Sequence, residues 1–175
     1  MNGVCMVSKA VSDTGPLIHL SQIGRLESLR IVDRLLIPSE VRSEFKEGVF
    51  LERLDELEMI EVRRMKGNQA NSAGALSRKY GLDLGEAEAI ILAKRESIPL
   101  IFTDDLDARR TALMRGLEPH GSVGVLLRAY RDGILSKNDT ITAIRQLHTD
   151  SSLYLTSDLV DRAIEAVRQF SSYEE

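Results

Sequence analysis

Short apolar runs alternate with helix-patterned segments along most of the chain, and this alternation constrains the fold more than any other feature. The clearest unit spans a predicted helix at residues 84–96, a strand-length apolar run at residues 99–103, and a second helix at residues 106–115 that ends at Gly116. Alternating strands and helices predict a mostly parallel sheet joined by right-handed crossovers. We therefore expect a three-layer α/β/α sandwich.

The rest of the chain continues this pattern. We predict strands at residues 7–12, 35–37 and 59–64, helices at residues 17–23, 25–29, 39–47, 123–131, 136–147 and 156–170, and a polar loop at residues 66–72. Ser39 and Ser136 are the expected N-caps of their helices, and Gly24 and Gly48 are expected to end theirs. The last helix is predicted to be amphipathic, with an apolar face made of Leu159, Ala163, Ala166 and Phe170.

Length and composition limit the class of protein. A chain of 175 residues, 43% of them hydrophobic, has the size and apolar content of one folded domain. We expect one α/β domain at residues 7–150 and a helical tail at residues 151–175 packed on the same domain. The single cysteine, Cys5, excludes an internal disulfide and a cysteine-based zinc site. No apolar run approaches membrane-spanning length, so we expect a cytoplasmic protein without a membrane partner.

The formal net charge of −4 argues against a nucleic-acid binder that works through overall positive charge. It remains compatible with an enzyme that acts on nucleic acid. Acids that surround divalent cations are neutralised locally, and the remaining basic residues can still guide a phosphate backbone.

The acids that matter most are those that follow strands, because functional crevices in open α/β sheets lie outside the carboxyl ends of the strands. Asp13 follows the first predicted strand, and Asp104 and Asp105 follow the strand at residues 99–103. Glu86 joins them if its helix begins at the same edge of the sheet. Glu44 joins them if the helix at residues 39–47 runs along the crevice.

Each of these acids also has a simpler explanation as a helix cap. Asp13, Asp104 or Asp105 can cap the helix that follows. Glu86 lies three residues after Asp83, which is the spacing of a capping box. Capping alone does not require the acids to meet, however. Two carboxylates about 4 Å apart repel by roughly 4 kcal/mol at an effective dielectric of 20, so stability alone would disperse them. A divalent cation removes that penalty, and an oxygen-only ligand set suits Mg²⁺ or Mn²⁺.

Four segments resemble the acidic motifs of PIN domains, in order. They are Val-Ser-Asp-Thr-Gly-Pro-Leu-Ile at residues 11–18, Ile-Pro-Ser-Glu-Val-Arg-Ser-Glu at residues 37–44, Leu-Gly-Glu-Ala-Glu-Ala-Ile at residues 84–90 and Ile-Phe-Thr-Asp-Asp-Leu-Asp-Ala-Arg-Arg at residues 101–110. The last two are similar to motifs of a compact PIN-like subfamily. The resemblance covers roughly residues 7–131, and it implies the same α/β/α fold.

The resemblance implies a set of site residues. The first three acids of the family fall on Asp13, Glu44 and Glu86, and the fourth falls on Asp104 or Asp105. PIN proteins commonly place the fourth acid two residues after the Thr, which favours Asp105, and Asp104 stays open. Gly15 departs from the Ser or Asn that often follows Asp-Thr in the family, so the polar contact of that side chain is absent.

The activity implied by the resemblance is Mg²⁺- or Mn²⁺-dependent endoribonuclease cleavage, in which bound ions activate water and stabilise charge on the phosphate. Ser12, Thr14 and Thr103 are candidates to orient carboxylates or contact phosphate oxygens. Arg109 is a candidate for binding the RNA backbone, because the helix that follows Asp105 is expected to begin at the crevice.

The resemblance also implies partners. Small PIN proteins include toxins of toxin–antitoxin pairs, so RNA, an antitoxin protein and a second copy of the chain in a homodimer are expected. Two alternatives stay open: a non-catalytic module that binds RNA or protein, and a metal-dependent DNA nuclease.

The remaining polar and aromatic residues offer weaker signals. His19, His120 and His148 have no metal-ligand spacing, and we expect none of them to be catalytic. The four Phe and four Tyr are scattered, which predicts no aromatic platform for stacking bases. The glycine-rich turn at residues 121–124 opens a helix and is a weak candidate for anion binding.

Overall fold

The computed structural model describes residues 8–45 and 49–170. Within them, the sheet has five strands in the order β3-β2-β1-β4-β5, and every neighbouring pair is parallel. The strands are β1 (Lys9–Ser12), β2 (Arg34–Pro38), β3 (Ile60–Arg63), β4 (Leu100–Phe102) and β5 (Glu118–His120). The predicted parallel sheet is confirmed. Val7 lies outside the described residues, and β5 was not predicted.

Helices cover both faces of the sheet. The described residues form α1 (Thr14–Gln22), a 3₁₀ helix (Leu26–Ile31), α2 (Ser39–Glu44), α3 (Val49–Asp55), α4 (Asn68–Tyr80), α5 (Leu84–Arg95), α6 (Leu106–Met114), α7 (Ser122–Arg131), α8 (Lys137–Thr149) and α9 (Ser157–Phe170). Gly24 and Gly116 have φ angles of 66° and 72°, which suit a glycine after a helix end. Ser136 caps α8 as predicted, since its hydroxyl oxygen accepts from the Asp139 N–H.

Successive strand residues face opposite sides of the sheet and create two cores. On β1, Ala10 packs with α1, α7, α8 and α9, whereas Val11 packs with α4, α5 and α6. On β4, Phe102 belongs to the same core as Ala10, and Ile101 belongs to the same core as Val11. The fold is therefore the predicted three-layer α/β/α sandwich.

The predicted polar loop at residues 66–72 is wrong, because α4 already begins at Asn68. Gly67 stands before it with a φ angle of 54°, a conformation that favours glycine. The first turn of α4 is polar and faces solvent, and the helix reaches the core only through Ala73 and Leu76. Its opening residues therefore carry no apolar periodicity that could have predicted a helix.

The predicted cap of α2 is also wrong. Ser39 is the first helical residue, and Pro38 occupies the N-cap position with extended backbone angles and no capping side chain. The helix ends at Glu44, while Gly48, its expected end, lies outside the described residues. Helix α3 was not predicted.

The apolar face of α9 was predicted only in part, because Ala163 is buried as expected but Ala166 is exposed. Leu159 and Phe170 are exposed, and the buried residues are Val160, Ala163, Ile164 and Val167. This face packs against α7 and α8 and completes the core on that side of the sheet. None of the helices in the described ranges combines the length and apolarity that crossing a bilayer needs.

Candidate active site

The candidate site lies at the carboxyl end of the sheet, where the strand order changes direction. From β1 the chain crosses to β2 on one side, and β4 later pairs with the other side of β1. Such a switch point leaves a crevice between the two crossovers. A cleft of about 320 Å³ opens here, and five acids line it: Asp13, Asp83, Glu86, Asp104 and Asp105.

Asp13 is the most buried of these acids, with only 3% of its surface exposed. It directly follows β1 and caps α1, because its Oδ1 accepts from the Gly15 N–H at 3.2 Å. Burial raises the pKa of Asp13 well above its usual value, and the charges of Glu86 and Asp104 add to the rise. The nearby Thr103 hydroxyl opposes it. Asp13 therefore occupies a position that penalises its own negative charge.

Glu86 opens α5 in a reciprocal capping box with Asp83. The Glu86 N–H donates to Asp83 Oδ1 at 2.8 Å, and the Asp83 N–H donates to Glu86 Oε2 at 3.0 Å. Partial burial raises the pKa of Glu86 to about 7, and the charges of Asp83 and Asp105 contribute to the rise. Glu86 can therefore exchange a proton near neutral pH.

Asp104 and Asp105 differ in how their carboxylates are used. Both oxygens of Asp104 accept hydrogen bonds: Oδ1 from the Ser122 N–H at 2.7 Å, and Oδ2 from the Ser122 hydroxyl at 2.6 Å and from His19 Nδ1 at 2.7 Å. Asp105 is exposed and caps α6, with Oδ1 accepting from the Ala108 N–H at 2.8 Å. Its second oxygen accepts no hydrogen bond from the part of the chain that the structure describes. Asp105 therefore retains more ligand capacity than Asp104.

Glu44 lies beside the cleft and is not one of the residues that line it. A Cβ added to Gly85 would lie 2.8 Å from Glu44 Oε1, so the missing side chain of Gly85 lets Glu44 approach the start of α5. Partial burial and the charge of Asp83 raise the pKa of Glu44, while the Thr14 hydroxyl lowers it. Four of the five predicted ligands thus share the cleft, and the fifth flanks it.

The three predicted hydroxyl residues have different surroundings. The Ser12 hydroxyl donates to the Asp13 main-chain carbonyl at 2.9 Å, so it contacts the backbone rather than a carboxylate. Thr14 Oγ1 and Thr103 Oγ1 are buried and make no well-formed hydrogen bond. They lie close enough to Glu44 and Asp13, respectively, to lower the pKa of each acid.

His19 lies in the cleft, although its sequence position gave no sign of it. It lines the cleft from α1, and its partner Asp104 lies 85 positions away in sequence, which is why spacing could not reveal the pair. A carboxylate can only accept hydrogen bonds, so His19 Nδ1 carries the hydrogen in its contact with Asp104. The other ring nitrogen, Nε2, is not used in this contact. The predicted anion site at the start of α7 is thus filled by the protein's own Asp104, through Ser122.

An aromatic side chain also lines the cleft, contrary to the expectation of no stacking surface. Tyr154 is 87% exposed and stands in the connection between α8 and α9. The connection is tied to α1, because the N–H and hydroxyl of Ser152 donate to Gln22 Oε1 at 2.9 and 3.1 Å. The C-terminal part of the chain therefore contributes to the cleft.

Arg109 does not line the cleft, but it lies next to it. A Cβ added to Gly121 would lie 2.8 Å from Asp104 Oδ1 and 3.2 Å from Arg109 Nη1. The guanidinium group of Arg109 therefore stands close to the Asp104 carboxylate, beside Gly121 at the end of β5.

Helix capping is a correct explanation of these acids but not a sufficient one. Asp13, Asp83 and Asp105 cap α1, α5 and α6, respectively. Capping would leave each acid at its own helix, whereas here the charges of Glu86 and Asp104 raise the pKa of Asp13, and those of Asp83 and Asp105 raise the pKa of Glu86. Within residues 8–45 and 49–170, no three His, Cys, Asp or Glu side chains are placed to hold a metal ion together. The donor chemistry nevertheless fits Mg²⁺ or Mn²⁺, since the cleft offers carboxylate oxygens and the buried hydroxyl of Thr14, which has no hydrogen-bond partner among the described residues.

Comparison with known families agrees with this fold. The DUF3368 family model, described as a PIN domain, matches residues 9–169 and so includes α9. A search of curated proteins gives no significant match. The family match spans most of the chain, and the parallel five-stranded sheet with helices on both faces is consistent with it. The chain therefore belongs to the PIN-domain family and has a nuclease-type fold.

Proposed function

We propose that this protein is a Mg²⁺- or Mn²⁺-dependent endoribonuclease that hydrolyses RNA phosphodiester bonds. One observation carries the proposal: acids from three helix starts meet in one cleft, where the charges of their neighbours raise the pKa values of Asp13 and Glu86. A fold selected for stability alone would separate them. A site that binds a divalent cation needs them together.

Asp13, Glu86 and Asp105 are the proposed ligands. Each uses one carboxylate oxygen in a cap, which leaves the other oxygen for a cation. Glu44 is placed to contribute from the side of α5. Asp104 is proposed to position its neighbours, because its two oxygens already accept from His19 and Ser122. The hydrogen bonds thus favour Asp105 as the fourth acid.

A bound divalent cation would supply an activated water and would stabilise the charge that develops on the phosphate. The chain's own groups have other tasks. The starts of α1, α5 and α6 carry partial positive charge toward the cleft, which favours a phosphate there. His19 Nδ1 is committed to Asp104, so Nε2 is the nitrogen that can exchange a proton with the substrate or leaving group.

The aromatic ring of Tyr154 gives the proposal a substrate-facing element. An exposed ring beside the acids can stack on a base next to the scissile phosphate, and such stacking is worth about 1–3 kcal/mol per base. Single-stranded RNA, whose bases are free to stack, is the substrate this arrangement suits best.

A toxin role in the cytoplasm, an antitoxin partner and a homodimer remain proposals. One surface supports them: Leu106, Leu113 and Met114 are exposed on α6. Positions separated by seven and eight residues share a helix face, so these side chains form an apolar stripe that a partner could cover.

The test is cleavage of a panel of single-stranded and structured RNAs, together with DNAs of matched sequence, with Mn²⁺, Mg²⁺ or EDTA. The variants are Asp13→Asn and a matched surface control, Asp158→Asn, whose side chain is 73% exposed on α9. We expect metal-dependent cleavage by the wild type and by the control, and none by Asp13→Asn. RNA binding without cleavage by all three proteins would instead favour a non-catalytic binding module. Cleavage confined to DNA would assign the same site to a DNA nuclease.

A further inference from the structure

A second pocket, of about 350 Å³, lies between α7 and α9 and has a cationic wall. His120 from β5 and Arg128 and Arg131 from α7 line it, and Phe170 of α9 borders it on the opposite side. We call this site the cationic pocket, defined by these four residues. Arg109 of α6 stands nearby, within electrostatic range of His120.

The positive charge of this site is only partly balanced. Asp132 is shared by two guanidinium groups, at 3.5 Å from Arg128 Nε and 3.6 Å from Arg131 Nε. Arg109 has no ion pair with any residue that the structure describes. Glu118 is a second acid near the site, and its charge acts on His120. Three arginines therefore face two acids, in a chain whose net charge is −4.

The pKa of His120 responds to this excess of positive charge. Burial lowers the pKa of the imidazole, and the charges of Arg128, Arg109 and Arg131 lower it further against the opposing effect of Glu118. An anion bound among these groups would act in the opposite direction and favour the imidazolium. The pKa of His120 should therefore rise when an anion binds in the cationic pocket.

The pocket has room for more than a phosphate group. Small-molecule pockets commonly have volumes of roughly 300–1,000 Å³, and this one lies at the lower end of that range, which suits a single nucleotide unit. The rings of Tyr130 and Phe170 pack edge to face, with their centroids 5.7 Å apart. Together with Leu127 and Ala166 they give the pocket an apolar wall against which a ribose or base can pack.

The cationic pocket is linked to the acidic cleft through Gly121. This glycine lies between His120, which lines the pocket, and Ser122, which donates hydrogen bonds to Asp104 of the cleft. Asp104 and Arg109 both approach the position where a Cβ of Gly121 would stand. An RNA strand that leaves the cleft past Gly121 would meet Arg109 first and the cationic pocket next.

We propose that the cationic pocket binds a phosphodiester group of the RNA substrate, one or more nucleotides away from the bond that is cleaved. The inference rests on the proposed ribonuclease function and adds a second contact point for the strand. Arginine suits this task because its planar guanidinium group can hold two phosphate oxygens at once.

The test compares Arg131→Gln with Arg110→Gln. Both side chains are exposed, and Arg110 lies on α6 outside the pocket with a side chain that is 75% exposed. Binding of a short single-stranded RNA in EDTA, where no cleavage is expected, is measured by fluorescence anisotropy at several salt concentrations. We expect Arg131→Gln to bind about three- to tenfold more weakly and to lower the salt slope by about 0.7, the value for one lost phosphate contact on a single strand. Arg110→Gln should match the wild type.

NMR titration of His120 supplies a readout that does not depend on cleavage. We expect the same RNA to raise the pKa of His120 in the wild type and to raise it less in Arg131→Gln. If the RNA leaves that pKa unchanged and the two arginine variants bind alike, the inference is wrong, although cleavage by the wild type would still support the proposed function. If the RNA binds as expected but no metal supports cleavage, the pocket stands and the ribonuclease proposal fails.

Discussion

Replacement of Asp13 by Asn is expected to stabilise the metal-free protein at neutral pH, even though it removes a candidate catalytic ligand. Asp13 is 3% exposed, and the charges of Glu86 and Asp104 act on it. Asparagine keeps the Oδ1 acceptor for the Gly15 N–H, so the cap of α1 survives the change. The variant therefore removes an unfavourable charge and little else.

The size of the effect follows from burial. An ion in a protein interior carries an effective penalty of several kcal/mol, of which charged hydrogen bonds recover about 1.5–3 kcal/mol each. Asp13 has one such bond, from Gly15, and a nearby Thr103 hydroxyl. We therefore expect a net gain of about 1–3 kcal/mol for Asp13→Asn. In a chain of this length 1 kcal/mol moves Tm by roughly 2–4 °C, so Tm should rise by about 2–12 °C.

The gain should depend on pH in a defined direction. Because the folded-state pKa of Asp13 is raised, the folded protein binds a proton that the unfolded chain has lost. Wild-type stability is therefore lost as pH rises above the ordinary value of 3.8, and the same holds for Glu86 between 4.5 and about 7. The advantage of Asp13→Asn should be small near pH 4.5 and large near pH 7.5.

Thermal unfolding followed by circular dichroism in EDTA, at these two pH values, measures the difference. Asp158→Asn serves as the control for a lost surface carboxylate. Added Mn²⁺ should raise the Tm of the wild type and of the control but not that of Asp13→Asn. A lower Tm for Asp13→Asn than for wild type at pH 7.5 in EDTA would refute the reasoning, because Asp13 would then stabilise the fold through its charge.

Three further changes test other parts of the site. The Mn²⁺ affinity of the wild type should increase as pH rises through about 7 in calorimetric titrations at pH 6 and 8, because Glu86 must lose its proton to bind, and Glu86→Gln should bind Mn²⁺ at neither pH. Gly121→Ala should lower the free energy of unfolding in urea by about 1–3 kcal/mol, since the new Cβ displaces Asp104, whereas Gly74→Ala should not. Tyr154→Ala should raise KM for single-stranded RNA about five- to hundredfold at unchanged kcat, and Tyr154→Phe should not; equal KM values for both would rule out stacking.

Apolar patterning was sufficient to predict the layers of the fold. Short buried strands such as Leu100–Phe102 and helices with strong apolar content such as Leu84–Arg95 carry their own evidence in the sequence. Strand β5 does not, because it has three residues, contains Pro119 and forms one edge of the sheet. An edge strand lacks a neighbour on one side, so it tolerates a proline, which has no backbone N–H to donate. The same proline makes the segment look unlike a strand in the sequence.

The site shows a second limit of sequence patterns. Local motifs identified Asp13, Glu86 and Asp105, but the same motifs describe helix caps, and the structure shows that all three are caps as well. Only their meeting in one cleft separates the two roles, and that meeting depends on the sheet order. The contact between His19 and Asp104 spans 85 positions and left no local signal.

The central claim is that the acids of the cleft bind a divalent cation, and calorimetric titration of Mn²⁺ into the RNA-free protein tests it most directly. The measurement needs no assumption about the RNA that is cleaved. We expect binding by the wild type and by Asp158→Asn, and its loss in both Asp13→Asn and Glu86→Gln, because both carboxylates belong to the proposed ligand set. Equal Mn²⁺ binding by all four proteins, or none by the wild type at pH 8, would contradict the account.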